Sequence, residues 1–261
     1  MKPLFITIPH SGEKIPAEAH WLSALPEPIK MQDVDRYVDQ LYLPAINNMG
    51  LPSVIAEWHR YVVDLNRLPE DIDQDSVENA PLKSGTHTQG FHWVKTTRGE
   101  VLLPKALSSD IHQRWVKNYF EPFHDLVRAQ YKTFLAKNPK AYQIDAHSMP
   151  SKGTAAHRDP GETRAPIVVS DQNGVSCETR FKDLVIEAYE RAGFKVAYNW
   201  PYIGGRVTQT YGKPELGQHC IQVEMNRALY MNEETKQLIP SEAEKISNKV
   251  ALALRYIYDR L

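Results

Sequence analysis

Short apolar runs typical of strands alternate along this chain with longer stretches of helical periodicity, and this alternation limits the fold most. It favours a layered α/β architecture, in which helices cover the faces of a sheet. Strands are predicted at residues 4–8, 53–57, 61–65, 142–146, 166–170, 194–198 and 220–224, with a hairpin around Arg98. Helices are predicted at residues 33–48, 107–135 with a kink at Pro122, 178–192 and 241–258.

The charge of the chain is almost balanced. Its 261 residues carry 31 Lys and Arg against 32 Asp and Glu, which gives a formal net charge of −1. A balanced chain without a basic run argues against nucleic acid or a membrane surface as a partner. The apolar run at residues 4–8 is too short for a signal peptide or a membrane span, so a cytoplasmic protein is expected.

The cysteine and histidine counts restrict the kinds of metal site. Two cysteines, Cys177 and Cys220, exclude a disulfide framework and a four-cysteine zinc site. Cys220 lies in an apolar run and is interpreted as a small buried hydrophobe. Any metal must therefore be held by carboxylates and by some of the ten histidines, a ligand set that indicates catalysis.

Histidine and charged residues occur where the predicted strands end. His10 follows the first strand, Asp64 and Arg67 follow the run at 61–65, His147 follows the strand at 142–146, and Glu224 ends the last strand. Each residue alone could be an ordinary loop or ion-paired residue. In open α/β sheets, however, ligands bind at the carboxyl ends of the strands, so parallel strands would bring these side chains into one cleft.

Such a set of residues supports metal-assisted hydrolysis. Two neutral imidazoles and one carboxylate can hold Zn²⁺ with an open coordination position, and a further carboxylate can act as general base. Arginines such as Arg60 and Arg67 could bind a substrate carboxylate in a bidentate manner, which indicates an amino-acid-like substrate. Asp145 is interpreted either as a turn residue or as a partner of His147.

Several motifs occur in the order found in one enzyme family and together extend over residues 9–231. They are Pro9-His10-Ser11-Gly12, Asp33-Val34-Asp35, the run Arg60 to Arg67 that ends in Asp-Leu-Asn-Arg, Asp145-Ala146-His147-Ser148, Gly204-Gly205-Arg206-Val207-Thr208 and Gln222-Val223-Glu224. With these motifs the chain resembles the N-formylglutamate amidohydrolases, which are similar to zinc carboxypeptidases and aspartoacylases.

The resemblance implies a fold and an activity. The expected fold is an α/β three-layer sandwich whose mixed, mostly parallel sheet is flanked by helices, formed as a single domain over residues 1–261. The expected activity is that of a hydrolase holding one Zn²⁺ per chain, which cleaves N-formyl-L-glutamate to L-glutamate and formate in histidine degradation. Alternatives are a carboxypeptidase-like or other N-acyl amino acid hydrolase, and a non-catalytic protein that binds an anionic ligand.

The resemblance also implies roles for individual residues. His10 and His147 would be metal ligands, and Asp35 is preferred over Glu13 as the third. Glu224 would be the general base and acid, and Arg60 an electrophile or second carboxylate clamp. Substrate binding is expected from Asn66, Arg67, Arg206 and Thr208.

One position departs from the family pattern, since Gln209 stands where an arginine is expected. If that arginine holds the glutamate side chain, Arg206 or Arg227 must replace it, or the substrate must differ. His219 is a reserve candidate for a contact to the substrate or to a ligand. The loop at residues 69–90 could act as a lid. His87 within it and His92 just after it are expected to be structural or solvated.

Overall fold

The computed structural model describes residues 2–80 and 89–261. Their strands are β1 Leu4–Ile8, β2 Ser53–Ile55, β3 Ala141–Met149, β4 Ile167–Ser170, β5 Val196–Tyr198, β6 Gln218–Asn226, β7 Met231–Asn232 and β8 Gln237–Leu238. Their α-helices are α1 His20–Ser23, α2 Glu27–Lys30, α3 Val38–Met49, α4 Ser109–Trp115, α5 Glu121–Leu135, α6 Thr179–Arg191, α7 Arg206–Tyr211 and α8 Pro240–Arg260.

Six strands form one mixed sheet in the order β2-β1-β3-β6-β4-β5. Strands β2, β1, β3 and β6 are parallel to one another, β4 is antiparallel to β6, and β5 is parallel to β4. Strands β1 and β4 are entirely buried, as expected of strands covered on both faces. The short strands β7 and β8 form a separate antiparallel pair.

Helices cover both faces of the sheet. On one face of the sheet, the even-numbered side chains of β1, such as Leu4 and Ile6, pack against α3, α6 and α8. Phe5 projects from the other face into a second apolar cluster that includes α5 and the segment at residues 54–65. This arrangement confirms the expected mixed, mostly parallel sheet between helices. In the described residues, no helix is long and apolar enough to cross a membrane.

Most predicted elements are present with shifted ends. The long helical pattern at residues 107–135 is divided into α4, a π-helical turn at Val116–Phe120, and α5, which begins just before Pro122. Since proline cannot donate a backbone hydrogen bond, the break falls one turn before it. Helix α3 begins at Val38 rather than at residue 33, and Gly50 ends it in the left-handed conformation.

The predicted strand at residues 61–65 is wrong. This segment forms turns, in which the Asp64 N–H donates to the Phe91 carbonyl and the Val62 N–H donates to the His59 carbonyl. Tyr61, Val62 and Val63 are nevertheless buried. Apolar residues here reflect burial beneath the sheet's second face, which a compact turn satisfies as well as a strand does. Of the predicted loop at residues 69–90, residues 81–88, including His87, lie outside the described residues.

Candidate active site

The carboxyl ends of β1 and β3 bring two histidines and one aspartate together. His10 follows β1, His147 lies near the end of β3, and Asp35 precedes α3. One donor atom from each residue lies within 4.8 Å of the other two, and all three residues are buried. Nδ1 of His147 is 3.0 Å and Nδ1 of His10 is 3.5 Å from the same Asp35 oxygen, Oδ2.

Each histidine is held by a further buried carboxylate through its other ring nitrogen. His10 Nε2 lies 2.7 Å from Asp64 Oδ1, and His147 Nε2 lies 2.8 Å from Asp145 Oδ2. A carboxylate on Nε2 fixes the tautomer in which the Nδ1 lone pair is free to bind a cation. Both imidazoles therefore direct their ligand nitrogens toward Asp35.

Two arginines, Arg227 buried and Arg60 largely so, hold the carboxylates of this cluster in place. Arg227 donates from Nη2 to Asp35 Oδ1 at 3.0 Å, which leaves Oδ2 for the histidines. Arg60 donates to Asp64 Oδ2 at 2.8 Å and to the Asp33 carbonyl at 2.7 Å, and it lies 4.6 Å above the Trp93 ring. Arg60 also lines the cavity described below, where its predicted catalytic role would place it.

The electrostatics of the cluster suit a cation. Burial alone would raise the pKa of Asp35, but hydrogen bonds from His10 and His147 hold it well below its usual value. Burial alone would lower the pKa of His147, yet the charge of Asp145 and hydrogen bonds with Asp145 and Asp35 raise it well above its usual value. Since the site attracts an additional proton onto His147, the same nitrogen and oxygen donors fit a divalent cation.

Glu224 lies beside this cluster, on β6. Its register partner on β3 is His147, so both side chains leave the same face of the sheet. Gln222 accepts a hydrogen bond from the Gly205 N–H and donates one to Glu224 Oε1 at 2.8 Å. Glu224 Oε2 has no hydrogen-bond partner in residues 2–80 and 89–261. Burial raises the pKa of Glu224, and repulsion from Asp35 raises it further against the attraction of His147.

A cavity of about 370 Å³ adjoins these groups, a volume within the range typical of small-molecule sites. Its wall includes His10, Asp35, His147 and Glu224, together with the predicted substrate residues Asn66 and Arg67. The wall also includes Arg60, Arg158, Arg227 and Tyr202. The structure therefore brings seven of the predicted site residues to a single cavity.

Asn66 and Arg67 are positioned by different contacts. The Asn66 side chain accepts a hydrogen bond from the Val207 N–H at 2.8 Å and packs so closely on Gly205 that a Cβ there would lie 2.2 Å from it. Arg67 donates to the Gln89 carbonyl and to the Asn66 carbonyl. In the described part of the chain Arg67 forms no ion pair with a carboxylate.

Arg206 and Thr208 lie in α7 and are not among the residues that line the cavity. Arg206 forms two hydrogen bonds with Asp71 and one with Gln209. Thr208 is buried, and its hydroxyl donates to the Gly205 carbonyl. Their predicted contacts with substrate stay predictions, but each side chain already has protein partners.

The alternative ligand Glu13 lies outside the cluster. Its carboxylate is partly exposed and pairs with Arg36 at 2.8 Å. Asp35, in contrast, lies between both histidines. The structure thus favours Asp35 over Glu13 as the carboxylate that accompanies His10 and His147.

The remaining candidates have structural contacts away from this cavity. Cys177 and Cys220 are buried, and burial raises the pKa of both thiols. His219 accepts a hydrogen bond from the Glu178 N–H and stacks on Tyr142. His92 bonds the Val62 carbonyl and the ring of His112, in agreement with a structural role.

The chain matches the family model for N-formylglutamate amidohydrolase over residues 2–231. The chain belongs to the N-formylglutamate amidohydrolase family. It is 29% identical to the N-formylglutamate deformylase of Pseudomonas putida in an alignment of 237 residues that covers 88% of this chain and 82% of that protein. It is 30% identical to the N-formylglutamate deformylase of Pseudomonas aeruginosa in an alignment of 238 residues that covers 89% of this chain and 83% of that protein.

Solved structures place the fold in the same family. The crystal structure of N-formylglutamate amidohydrolase from Ralstonia eutropha superposes with a TM-score of 0.86 at 26% identity, covering 98% of this chain and 93% of that one. A protein of Agrobacterium tumefaciens has the same fold, with a TM-score of 0.68 at 19% identity, and covers 98% of this chain and 92% of that one.

Sequence reasoning missed contacts that this family member uses to support its site. The sequence shows Asp64 shortly before Asn66 and Arg67, but its hydrogen bond with His10 depends on the turn at residues 61–65. Gln222 lies in the Gln-Val-Glu motif, and period-two alternation was the signal that could have placed it beside Glu224. Arg158 reaches the cavity from a segment whose sequence has no periodic pattern.

Proposed function

We propose that this chain hydrolyses the amide bond of an N-acyl amino acid, and that its substrate is N-formyl-L-glutamate. The observation that carries the proposal is one cavity whose wall combines a buried His10, Asp35 and His147 donor set with the carboxylate of Glu224. Pairing a cation site with a base is the requirement of metal-assisted amide hydrolysis. The similarity to the N-formylglutamate deformylases of the two Pseudomonas species supports the choice of substrate.

Zn²⁺ is the metal proposed for this site. Its ligands would be His10, Asp35 and His147, a set of two imidazoles and one carboxylate that leaves a coordination position open. When bound, the metal would supply positive charge that polarises the acyl carbonyl. The carboxylates of Asp64 and Asp145 would orient the two imidazoles through Nε2.

Glu224 is the proposed general base and acid. Water attacks the acyl carbon while Glu224 accepts one of its protons, and Glu224 then donates that proton to the amide nitrogen as the carbon–nitrogen bond breaks. The products are a carboxylic acid and a free amino acid. A raised pKa for Glu224 suits both steps, because its acid form persists long enough to protonate the leaving amine.

Arg67 and Arg60 are the proposed anion-binding groups of the reaction. Arg67 lines the cavity without a carboxylate partner among the described residues, so it can bind the α-carboxylate of the substrate together with Asn66. Arg60 has both terminal nitrogens engaged by Asp33 and Asp64. It keeps a positive charge close to the acyl oxygen and serves as an electrophile rather than as a free clamp.

A formate-release assay combined with elemental analysis tests the proposal. Purified protein is analysed for bound zinc and then supplied with N-formyl-L-glutamate, N-acetyl-L-glutamate and a dipeptide of glutamate. Zinc at about one per chain and preferential release of formate would support it. Preferential cleavage of the dipeptide would favour the carboxypeptidase-like alternative, and bound zinc with no turnover would favour an anion-binding protein.

A further inference from the structure

The arginines on the cavity wall divide into two pairs by their partners. Arg60 forms an ion pair with the buried carboxylate of Asp64, and Arg227 forms one with that of Asp35. Arg67 and Arg158 also line the cavity, yet neither pairs with a carboxylate within residues 2–80 and 89–261. Two guanidinium groups that form no ion pair with a carboxylate around one small cavity suit a ligand that carries two anionic groups.

Backbone bridges and an ion pair hold the segment that carries Arg158. Residues Lys152 and Gly153 form bridges with Thr163 and Pro160, so that residues 152–163 fold back on themselves. Asp159, next to Arg158, is buried in a two-point hydrogen-bonded pair with Arg164. The neighbouring carboxylate is therefore unavailable to Arg158.

An aromatic ring supports the Arg158 side chain at the cavity. Its guanidinium lies 5.4 Å from the centre of the half-exposed Trp200 ring. Such a contact restricts the side chain while leaving its N–H groups free, because the attraction is to the face of the ring. The hydrogen-bond donors of Arg158 thus remain available for a ligand.

Arg206 and Arg227, the other arginines that could bind a second carboxylate of the substrate, already have protein partners. Arg206 is held by Asp71 and Gln209, away from the cavity wall. Arg227 is buried and donates to Asp35, Ser148 and the Gln32 carbonyl. Neither can turn toward a substrate without giving up a hydrogen bond to a carboxylate, which is costly for buried Asp35.

We propose that Arg158 binds the side-chain carboxylate of the substrate and so selects N-acyl derivatives of acidic amino acids. Arg67 takes the α-carboxylate. The inference rests on the proposed function, since it names the residue that recognises one end of the proposed substrate.

Steady-state kinetics with a charged substrate and a neutral isostere test this assignment. N-formyl-L-glutamate and N-formyl-L-glutamine differ by one carboxylate, and the wild type should prefer the former. In Arg158→Gln, kcat/KM for N-formyl-L-glutamate should fall about 30-fold, mainly through KM, as expected for loss of one partly exposed charged hydrogen bond. The value for N-formyl-L-glutamine should hardly change, and Arg158→Lys should recover part of the preference.

Two results in Arg158→Gln would overturn the assignment: an equal loss of kcat/KM for both substrates, or no loss for either. Arg255→Gln is the matched control, because Arg255 is an exposed arginine on α8. It should leave both values unchanged.

A binding measurement separates this inference from the proposed function. Calorimetric titration of the zinc-loaded protein with glutarate and with 4-carbamoylbutanoate requires no turnover. Arg158→Gln should weaken glutarate binding and leave that of the monoamide unchanged. Should the wild type hydrolyse no N-acyl amino acid, the proposed function fails, while this titration still decides for Arg158 or against it.

Discussion

His147 and Glu224 are register partners on the adjacent parallel strands β3 and β6. Their side chains therefore leave the same face of the sheet. Asp145 and Gln222, which pair two residues earlier on these strands, project from that face as well. The candidate ligand and the candidate base thus each have a supporting residue beneath them. Backbone pairing of two central strands, rather than a loop, sets the separation between cation site and base.

Replacing Glu224 by Gln should abolish turnover without removing the metal. Glutamine preserves the shape of the side chain and its contact with Gln222, but it cannot accept a proton. We expect kcat to fall by about 10²–10⁴-fold, the usual contribution of a general base. Metal content should stay that of the wild type. Turnover within a few-fold of wild type would remove Glu224 from the mechanism, and Glu187→Gln at an exposed site serves as the control.

Replacing Asp35 by Asn should deprive the site of its metal, whereas Glu13→Gln should not. Asparagine keeps the volume of Asp35 but loses the charge that faces both histidines. We expect the affinity for zinc to fall by more than the roughly 10–100-fold that loss of a supporting group costs. Chelator competition measures the affinity, and circular dichroism checks the fold. Full zinc retention in Asp35→Asn, or loss in Glu13→Gln, would transfer the ligand role to Glu13.

Asp145→Asn should weaken metal binding through the tautomer of His147. Thr7 Oγ1 donates to Asp145 Oδ1 at 2.6 Å, which holds the amide oxygen of the variant on that side. The amide NH₂ then faces His147 Nε2 and donates to it, so the ring proton moves to Nδ1, the nitrogen that faces Asp35. We expect zinc affinity to drop about 10–100-fold.

Chelator competition again provides the measurement for Asp145→Asn. The control is Asp125→Asn, which removes an exposed carboxylate on α5. An unchanged zinc affinity in Asp145→Asn would mean that His147 does not bind the metal through Nδ1.

The parts of the fold that were predictable from sequence are those in which burial and periodicity agree. Strand β1 is apolar except for Thr7, apolar residues recur through β3 and β6 between polar ones, and helices α6 and α8 have clear apolar faces with well-defined ends. Because these three strands run parallel, the prediction that their carboxyl ends meet is confirmed, and it brings His10, His147 and Glu224 together. A local pattern sufficed here because the sheet itself supplies the long-range geometry.

Contacts that depend on turns were not predictable in this way. Residues 61–65 are apolar because they are covered, and no local pattern distinguishes a covered turn from a covered strand. The bond from Asp64 to His10 and the approach of Arg158 to the cavity both arise from irregular segments. The ion pair that occupies Arg206 also could not be predicted, because its partner Asp71 is 135 residues away in sequence.

Acid should destabilise the fold through His59, a buried histidine outside the cavity. His59 Nε2–H donates to the Lys30 carbonyl at 3.0 Å, and its Nδ1 accepts from the Tyr61 N–H at 3.1 Å. A proton on Nδ1 would face another donor. Burial lowers the pKa of His59 to about 3, with the charges of Arg60 and Lys30 acting in the same direction against Glu27 and the bond to the Lys30 carbonyl.

The direction of this change in stability with pH follows from the number of protons that the folded and unfolded chains bind. Between pH 6.5 and about 3 the unfolded chain binds a proton at residue 59 that the folded chain excludes, so stability falls as the pH falls through this window. Residue 59 alone should contribute about 2 kcal/mol to the loss of stability from pH 7 to pH 5. His59→Gln, which cannot titrate, should lose about 2 kcal/mol less than the wild type in urea unfolding over the same range. His20→Gln, at an exposed histidine, should lose as much as the wild type; equal losses in all three proteins would show that His59 accepts a proton without unfolding.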